Sequence, residues 1–350
     1  MIILLGACRK DPEIFIPETT PYTPEYPEEI KNYVGPMDIP TGNPLTVEGI
    51  ELGRMLFFDE RLSGDNTQSC ASCHLPEFSF SDTTQFSIGI DGMPGGRNAM
   101  PIINVGWMSE GLFWDGRAAT VEDQAFGPVV NPVELHETWP NVEEKLQADP
   151  QYPLLFEQVF GTDQIDSILV SKAISQFERI LISGNSPFDK YQSTGVSGWS
   201  NEDFLLAWQG FGIFMDENKG DCFHCHGAQF NPLWTDNLYH NNGMDATFTD
   251  KGLGAITGNP SDDGKFKTPT LRNLVFTAPY MHDGRFETLD EVIDHYSEGL
   301  IHSPTIDPLM KDVDVGGVGL NPTEKAALKM FLISLSDSSF VTNPAFQDPG

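Results

Sequence analysis

Two five-residue segments constrain this chain more than any other part of its sequence. Residues 70–74 read CASCH and residues 222–226 read CFHCH, so both have the pattern Cys-x-x-Cys-His. This spacing is the attachment signature of a c-type haem. Two thiols reach the two vinyl groups of one macrocycle, and the imidazole that follows is held at the iron as its proximal ligand. A shuffled chain with the same 5 Cys and 8 His would contain roughly 0.002 copies of this pattern. We therefore predict two covalently bound haems, whose attachment and iron-binding residues are Cys70, Cys73, His74, Cys222, Cys225 and His226.

Paired cysteines also occur in zinc sites and in redox enzymes, but both fit these two motifs less well. A structural zinc site would need its ligand pairs within about 12–20 residues of each other, whereas these motifs lie in different halves of the chain. A thioredoxin-like redox pair accounts for neither the duplication nor the histidine that closes each motif. The haem interpretation accounts for both.

The charge balance excludes one class of partner. The chain has 20 basic and 51 acidic residues, and its net charge is −31. We expect no nucleic-acid partner, because no basic patch could offset the repulsion between these acidic residues and phosphate. A hydrophobic content of 39% over 350 residues is enough for cores around two haems, and this length suggests about two domains.

The N-terminal segment has the features of an exported, anchored protein. Cys8 follows Leu-Gly-Ala, which resembles the lipobox of a bacterial lipoprotein signal peptide, although a stray thiol is the alternative. We predict that residues 1–8 are the remnant of this signal. The protein is then periplasmic or outer-membrane-facing and meets the membrane only through a lipid anchor at Cys8. Residues 9–45 are rich in Pro and Glu, and we expect an extended tether of up to about 100 Å at ~3.1 Å per residue.

The organisation of the remaining chain is that of an internal repeat. A short apolar helix with a glycine precedes each haem motif, at residues 50–58 and 208–215. We predict a mainly α, loop-rich fold of two tandem cytochrome c-like domains, each built around one covalent haem. The N-terminal domain spans residues 46–185 and the C-terminal domain spans residues 200–340. A Pro-, Gly- and Ser-rich interdomain linker is expected at residues 183–200.

One predicted helix carries a candidate iron ligand. A capping box at Thr288–Glu291 begins this helix and Gly299 is a plausible end. Tyr296 shares the apolar face of the helix, whereas His295 is turned about 100° away from it. An inward tyrosine is usually a core residue, but in a haem protein it can also be an axial oxygen ligand of the iron.

Several longer motifs resemble the bacterial di-haem cytochrome c peroxidase family, which includes the MauG-type enzymes. The resemblance covers roughly residues 46–340 and is more specific than the haem motifs alone. It lies in LGRMLFFD at residues 52–59, FWDGRA at 113–118, QAFGP at 124–128, NPVE at 131–134, TPTLRN at 268–273 and TAPYMHDG at 277–284.

The resemblance implies roles for individual residues. In that family the first haem reacts with hydrogen peroxide, and the second receives electrons from a small donor protein such as a cytochrome c or a cupredoxin. Trp114 matches the tryptophan between the haems, Glu134 the distal acid–base carboxylate, and Gln124 a glutamine that lines the same pocket. The resemblance also implies one Ca²⁺ between the domains and is compatible with a homodimer. The matching calcium ligands are Asn98 and the carbonyl oxygens of Thr277 and Pro279.

Two positions depart from the usual peroxidase pattern. Ile90 replaces the histidine that caps the first iron in resting peroxidases, and no histidine occurs in residues 75–135. Tyr296 replaces the methionine ligand of the second iron, as it does in MauG-type members. A phenolate favours ferric iron, whereas a thioether favours ferrous iron. We therefore expect an open first iron and a second iron bound by Tyr296, with Met281 and His282 as alternative ligands.

Three functions are consistent with this pattern. The first is a di-haem peroxidase that reduces hydrogen peroxide to water at the first haem, with electrons arriving through the second. The second is a MauG-like enzyme that uses the oxidising equivalents of peroxide to oxidise residues of a partner protein. The third is a di-haem electron carrier without catalysis, which the lack of a sixth ligand for the first iron disfavours.

Overall fold

The computed structural model describes residues 19–227 and 230–350 of the chain. Cys8, its lipobox and the first part of the predicted tether lie outside the described residues. Within them the fold is rich in helices and has few strands, which confirms the mainly α class. No helix in this part of the chain has both the length and the hydrophobicity that a membrane-spanning segment needs.

The helices follow one another with loops and short 3₁₀ turns between them. The α-helices of the described residues are α1 (Glu28–Tyr33), α2 (Val47–Phe57), α3 (Val121–Val130), α4 (Trp139–Gln147), α5 (Tyr152–Phe160), α6 (Ser167–Arg179), α7 (Pro187–Thr194), α8 (Asn201–Phe214), α9 (Phe223–His226), α10 (Leu253–Thr257), α11 (Leu289–Glu298), α12 (Pro322–Ser334) and α13 (Ser338–Val341). Two-residue strands β1 (Tyr239–His240) and β2 (Phe266–Lys267) pair antiparallel, with Tyr239 opposite Lys267.

The predicted repeat corresponds to two helix pairs with the same packing. In the half that carries residues 70–74 (the first half), α2 packs on α6. In the half that carries residues 222–226 (the second half), α8 packs on α12. A Cβ atom at Gly53 of α2 would lie 1.9 Å from the carbonyl oxygen of Ala173, and one at Gly210 of α8 would lie 1.9 Å from that of Ala327. Both contacts require a glycine, because a side chain would hold the helices apart.

Each half has its own hydrophobic core. One cluster of buried side chains extends from Leu45 to Leu181, and the other from Phe188 to Leu335. The end of the chain returns to the first core, where Phe340 and Phe346 are buried. The predicted domain boundaries do not include this return.

The tether prediction is wrong for residues 19–45. Ile30 of α1 is fully buried, and Met37 and Leu45 are nearly so. The Tyr22 amide donates to the Leu45 carbonyl at 2.9 Å. These apolar side chains outweigh the Pro and Glu content, since burying each one stabilises the packed state by about 1.5–3 kcal/mol.

The linker predicted at residues 183–200 is also more ordered than its composition suggests. It contains α7, which begins with a capping box between Ser186 and Asp189. Phe188 is buried in the second core. Asp189 accepts two hydrogen bonds from the fully buried Arg272 guanidinium, at 2.8 and 2.9 Å. This buried ion pair fixes the segment to the second half.

Candidate functional site

The second Cys-x-x-Cys-His motif lines a large apolar cavity. About 1520 Å³ of empty space, part of it open to solvent, lies within this cavity, and Cys222, Cys225 and His226 form part of its wall. Its apolar side chains come mainly from α11, α12 and the loops before them. They include Leu271, Leu274, Leu289, Ile293, Leu328 and Leu332. A cavity of this size and polarity, next to two thiols and an imidazole, fits a covalently attached haem.

The burial and protonation of the motif side chains also fit a haem in this cavity. His226 Nδ1 is buried and has no hydrogen-bond partner within the described residues. Burial lowers the pKa of His226 to about 4, so the ring is neutral, as an iron ligand must be. Burial also raises the pKa of the Cys222 and Cys225 thiols to about 12. None of the four cysteines of the two motifs forms a disulfide, so all four are available for attachment to haem.

The three candidate ligands of the second iron, Tyr296, Met281 and His282, line the same cavity, and one amide contacts the first two. Asn242 Nδ2 donates to the Tyr296 hydroxyl at 3.0 Å and lies 3.7 Å from Met281 Sδ. Burial raises the pKa of Tyr296 to about 12, and the hydrogen bond from Asn242 opposes this rise. His282 instead stacks on Phe266, with ring centroids 3.6 Å apart. The geometry is compatible with either Tyr296 or Met281 as the ligand.

His295 differs from its expected orientation. The prediction turned it away from the buried face, yet it is 7% exposed. Its Nε2 lies 3.1 Å from the Asn242 main-chain oxygen. The loop that contains Asn242 covers this side of α11, so both sides of the helix are buried at this point.

The first motif forms a 3₁₀ turn at Cys70–Ser72, and His74 follows it. His74 Nδ1 lies 2.8 Å from the Phe80 carbonyl oxygen. An imidazole held in this way directs its Nε2 to a metal, and the carbonyl fixes the orientation of the ring. Burial lowers the pKa of His74 and raises that of the Cys73 thiol to about 11. These residues fit a second attached haem.

Glu134 lies in the loop after α3 and is held by a residue that the sequence did not single out. Asn131 Nδ2 donates to Glu134 Oε1 at 2.6 Å. Burial raises the pKa of Glu134, whereas the Asn131 hydrogen bond and the positive charge of Arg117 oppose the rise. A negative charge on Glu134 also raises the pKa of both thiols of the first motif, in the same direction as their burial.

Gln124, the other residue assigned to this pocket, lies on α3. It is half-buried. No hydrogen bond between Gln124 and Glu134 is present in the described structure. Arg117 is a further residue missed by sequence reasoning, and its guanidinium lies 3.6 Å from the centre of the Phe113 ring. A signal for Arg117 was its position in the FWDGRA motif.

Trp114 belongs to the first half but lines the cavity of the second. It is 8% exposed, and its indole Nε1 donates to the Asn98 carbonyl oxygen at 2.9 Å. The Trp114 carbonyl oxygen accepts a hydrogen bond from the Lys267 amide at 2.8 Å. The indole is therefore held rigidly on the wall that separates the two halves.

The expected calcium ligands lie in buried loops at the same boundary. Asn98 and Thr277 are 7% and 6% exposed. Asn98 Nδ2 donates to the carbonyl oxygens of Thr84 and Gln85, both at 3.2 Å. Three or more His, Cys, Asp or Glu side chains do not gather into a metal site anywhere in residues 19–227 or 230–350. The expected ligands are an amide and two carbonyl oxygens, so calcium at Asn98, Thr277 and Pro279 stays a prediction.

The repeat extends through the loops and into α3 and α11. Asp-Gly-Arg occurs at residues 115–117 and again at 283–285, and a β-bridge encloses each copy. Thr120 then caps α3 and Thr288 caps α11. The eighth residue after the cap is Pro128 in α3 and Tyr296 in α11. A proline has no atom that can bind iron, so the first half lacks the ligand that Tyr296 offers in the second.

Neither Ile90 nor the next histidine supplies that ligand. The Ile90 amide donates to the Glu134 carbonyl oxygen at 3.1 Å, and its aliphatic side chain cannot bind iron. The side chain of His136 is 52% exposed, and its Nδ1 lies 2.5 Å from Asp91 Oδ2. The structure thus directs His136 to a surface carboxylate.

Comparison with known proteins gives a consistent group of relatives. Residues 47–196 match the family model described as di-haem cytochrome c peroxidase. The methylamine utilization protein MauG of Methylophilus methylotrophus is 34% identical over 85% of this chain and 84% of its own. The cytochrome c551 peroxidase of Nitrosomonas europaea is 36% identical over 72% of this chain and 73% of its own.

Solved structures agree with these sequence relatives. A MauG-like protein associated with microbial copper homeostasis has a TM-score of 0.81 and 34% identity, with 91% of this chain and 97% of that chain covered. The diheme peroxidase BthA from Burkholderia thailandensis has a TM-score of 0.74 at 20% identity, over 96% of this chain and 95% of its own, which is a likeness of fold.

Proposed function

Because this chain belongs to the di-haem cytochrome c peroxidase family, we propose that it reduces hydrogen peroxide to water at its first haem with electrons arriving through its second. Membership makes the protein an oxidoreductase and implies two c-type haems. The proposal that peroxide reacts at the first haem rests mainly on one observation. The repeat places Pro128 where the second half has Tyr296. An iron above His74 would then keep one face free for peroxide.

The residues of the first site can carry the proton chemistry. The bound haem supplies the iron at which the O–O bond of peroxide is cleaved. Glu134 accepts a proton from the near oxygen of peroxide and returns it to the leaving oxygen, which departs as water. Asn131 holds Oε1 of Glu134 and so keeps the carboxyl in one orientation. Two electrons and two protons per peroxide give two water molecules, and the electrons come from a small donor protein.

Replacement of Glu134 tests this role. We expect Glu134→Gln to lower peroxide turnover with a reduced donor protein by ~10²-fold or more, because glutamine cannot transfer the proton. Glu137→Gln is a matched control, since Glu137 is a nearby buried carboxylate that binds Lys145 at 2.5 Å. Both variants should keep both haems, as judged by the Soret band. Equal turnover in the two variants would assign the proton transfer to another group.

A second function is favoured by Tyr296 in the other cavity. A phenolate ligand stabilises ferric and more oxidised iron, which suits an enzyme that stores oxidising equivalents for a partner protein, as in the MauG-like alternative. Stopped-flow spectroscopy separates the two functions. Rapid oxidation of a reduced cytochrome c supports the peroxidase. A long-lived oxidised spectrum after peroxide, without donor turnover, supports oxidation of a partner protein.

Electron paramagnetic resonance of the resting ferric protein tests the open first site. We expect one high-spin signal from the first haem and one low-spin signal from the second. Two low-spin signals, together with a Soret band that does not respond to cyanide or peroxide, would favour the non-catalytic electron carrier.

A further inference from the structure

We propose that Asn242 is a positioning residue of the second haem site: it holds the Tyr296 oxygen at the iron and limits how strongly that oxygen donates charge. The proposal rests on ligation of the second iron by Tyr296, on which the second, MauG-like function above also depends. Asn242 contacts the ligand atom and not the reacting peroxide, so it would act through Tyr296.

The contacts of Asn242 form a clamp on two consecutive residues of α11. Its side-chain Nδ2 donates to the Tyr296 hydroxyl at 3.0 Å. Its main-chain oxygen lies 3.1 Å from His295 Nε2. The helix that carries the ligand therefore holds the main chain of Asn242, and from this position its side-chain amide reaches Tyr296.

The loop around Asn242 is fixed from the other side by its neighbour. Asn241 is 2% exposed and donates through Nδ2 to the hydroxyl oxygens of Ser303 and Thr305, both at 3.0 Å. Gly243 follows with φ of +71°, a conformation that favours glycine. The main chain of Asn242 is thus held from two sides, as precise placement of a ligand requires.

The same amide distinguishes the two candidate ligands. Nδ2 donates to the Tyr296 oxygen at 3.0 Å and to Met281 Sδ at 3.7 Å, and a thioether sulfur is the weaker acceptor of the two. A hydrogen bond to a charged oxygen is about twice as strong as one between neutral groups. Asn242 therefore favours Tyr296 in its phenolate form over the thioether of Met281.

The expected electronic effect has a definite sign. A hydrogen bond to the phenolate oxygen withdraws charge from the iron and so stabilises the ferric state less than a free phenolate would. Such contacts to the ligand are among the means by which a protein adjusts the potential of a haem. Loss of the Asn242 amide should therefore lower the reduction potential of the second haem.

The experiment compares variants of the holoprotein in a Met281→Leu background, so that the thioether cannot replace Tyr296. Adding Asn242→Leu should raise the ratio of ferric to ferrous second haem at a fixed potential about tenfold, which is about 59 mV for one electron. The phenolate-to-iron charge-transfer band should move to lower energy.

Asn242→Ala is a second variant with less bulk if the leucine disturbs folding. Asn241→Ala is the control: it loses three side-chain hydrogen bonds of the same loop but none to Tyr296, so it measures how far a loosened loop alone moves the band and the potential.

The outcomes separate this proposal from the proposed function. Tyr296→Phe should abolish the charge-transfer band. If the band persists in that variant, Tyr296 is not the ligand. The role of Asn242 is then overturned and the second function loses its support, whereas peroxide reduction at the first haem is unaffected. If Tyr296→Phe abolishes the band but the Asn242 variants keep the band and the potential of the Asn241 control, only the role of Asn242 is overturned.

Discussion

At the scale of single residues, Glu134 connects burial to reactivity. Its carboxyl has a raised pKa because burial disfavours the charged form. The ionised form accepts the first proton of peroxide, so activity should fall as the pH falls through this raised pKa. We expect the acid limb of peroxide kcat/KM to lie above about 4.3, the ordinary value for glutamate. This acid limb should be absent from the pH profile of Glu134→Gln. A wild-type limb at the ordinary pKa of glutamate would show that burial does not raise the pKa of Glu134.

Asn131 provides a second test of the same carboxyl. Its hydrogen bond lowers the pKa of Glu134 and so opposes the effect of burial. Asn131→Leu should therefore move the acid limb to higher pH, by about one unit for one hydrogen bond to a charged group. Parallel pH profiles of the wild type and the variant measure this shift. A shift to lower pH would show that Asn131 does not stabilise the carboxylate.

At the residue scale, the sequence is most informative where the signal is local. The haem motifs are contiguous, and their side chains lie together without any help from the fold. Asn242 lies 54 residues before Tyr296, and nothing in the intervening chain indicates that the two meet. Asn131 lies three residues before Glu134 in the NPVE motif. Short polar spacings of this kind are common in loops, so the motif did not predict the hydrogen bond between the two residues.

At the scale of elements, the fold depends on two glycine contacts between helices. Gly53→Ala and Gly210→Ala would each force a Cβ atom against a carbonyl oxygen 1.9 Å away. We expect each substitution to destabilise the holoprotein by about 3 kcal/mol, since overpacking a close helix contact costs about 1–3 kcal/mol and occasionally more. Thermal unfolding measures the effect.

Gly212 on the same helix as Gly210 is the matched control. A Cβ atom there would meet nothing within 4 Å. Gly212→Ala should leave stability unchanged or raise it by up to about 1 kcal/mol, because alanine favours the helix more than glycine does. A similar loss of stability in Gly210→Ala and Gly212→Ala would mean that the close contact between α8 and α12 is not what makes glycine necessary.

Helices with both a cap and an apolar period were predictable. Asp166, Thr288 and Asn321 all cap helices in the structure, at the starts of α6, α11 and α12. Segments rich in Pro, Gly or Ser were not predictable by composition. The capping box of Ser186 and the buried Ile30 of α1 turn a predicted linker and tether into packed structure, because tertiary burial overrides local preference.

At the scale of the whole molecule, polar contacts join the two halves near the expected calcium site. Arg97 binds Asp115 of the first half at 2.6 Å and Asp250 of the second at 2.7 Å. The Asn98 amide donates to the His282 carbonyl oxygen at 2.8 Å. Trp114 lies on the same boundary, so the geometry between the halves also sets the geometry between the two haem sites.

Removal of Ca²⁺ tests whether the ion stabilises this boundary. A chelator should lower the unfolding temperature of the holoprotein, and added Ca²⁺ should restore it. Binding at 100 times Kd contributes about 2.7 kcal/mol. The Asn98→Ala variant should already be less stable and should not respond to the chelator. If neither the chelator nor added Ca²⁺ changes the unfolding temperature of the wild type, the predicted calcium site is wrong.

The eighth position after the cap of α3 and α11 has a consequence for how such proteins specialise. Under the proposed function, a pyrrolidine ring at that position leaves a reactive centre, and a phenol there makes a centre that stores or relays charge. Two copies of one architecture therefore acquire different chemistry through a single exchange on a shared scaffold. Engineering either copy towards the other would begin at Pro128 or Tyr296, with no change to the surrounding framework.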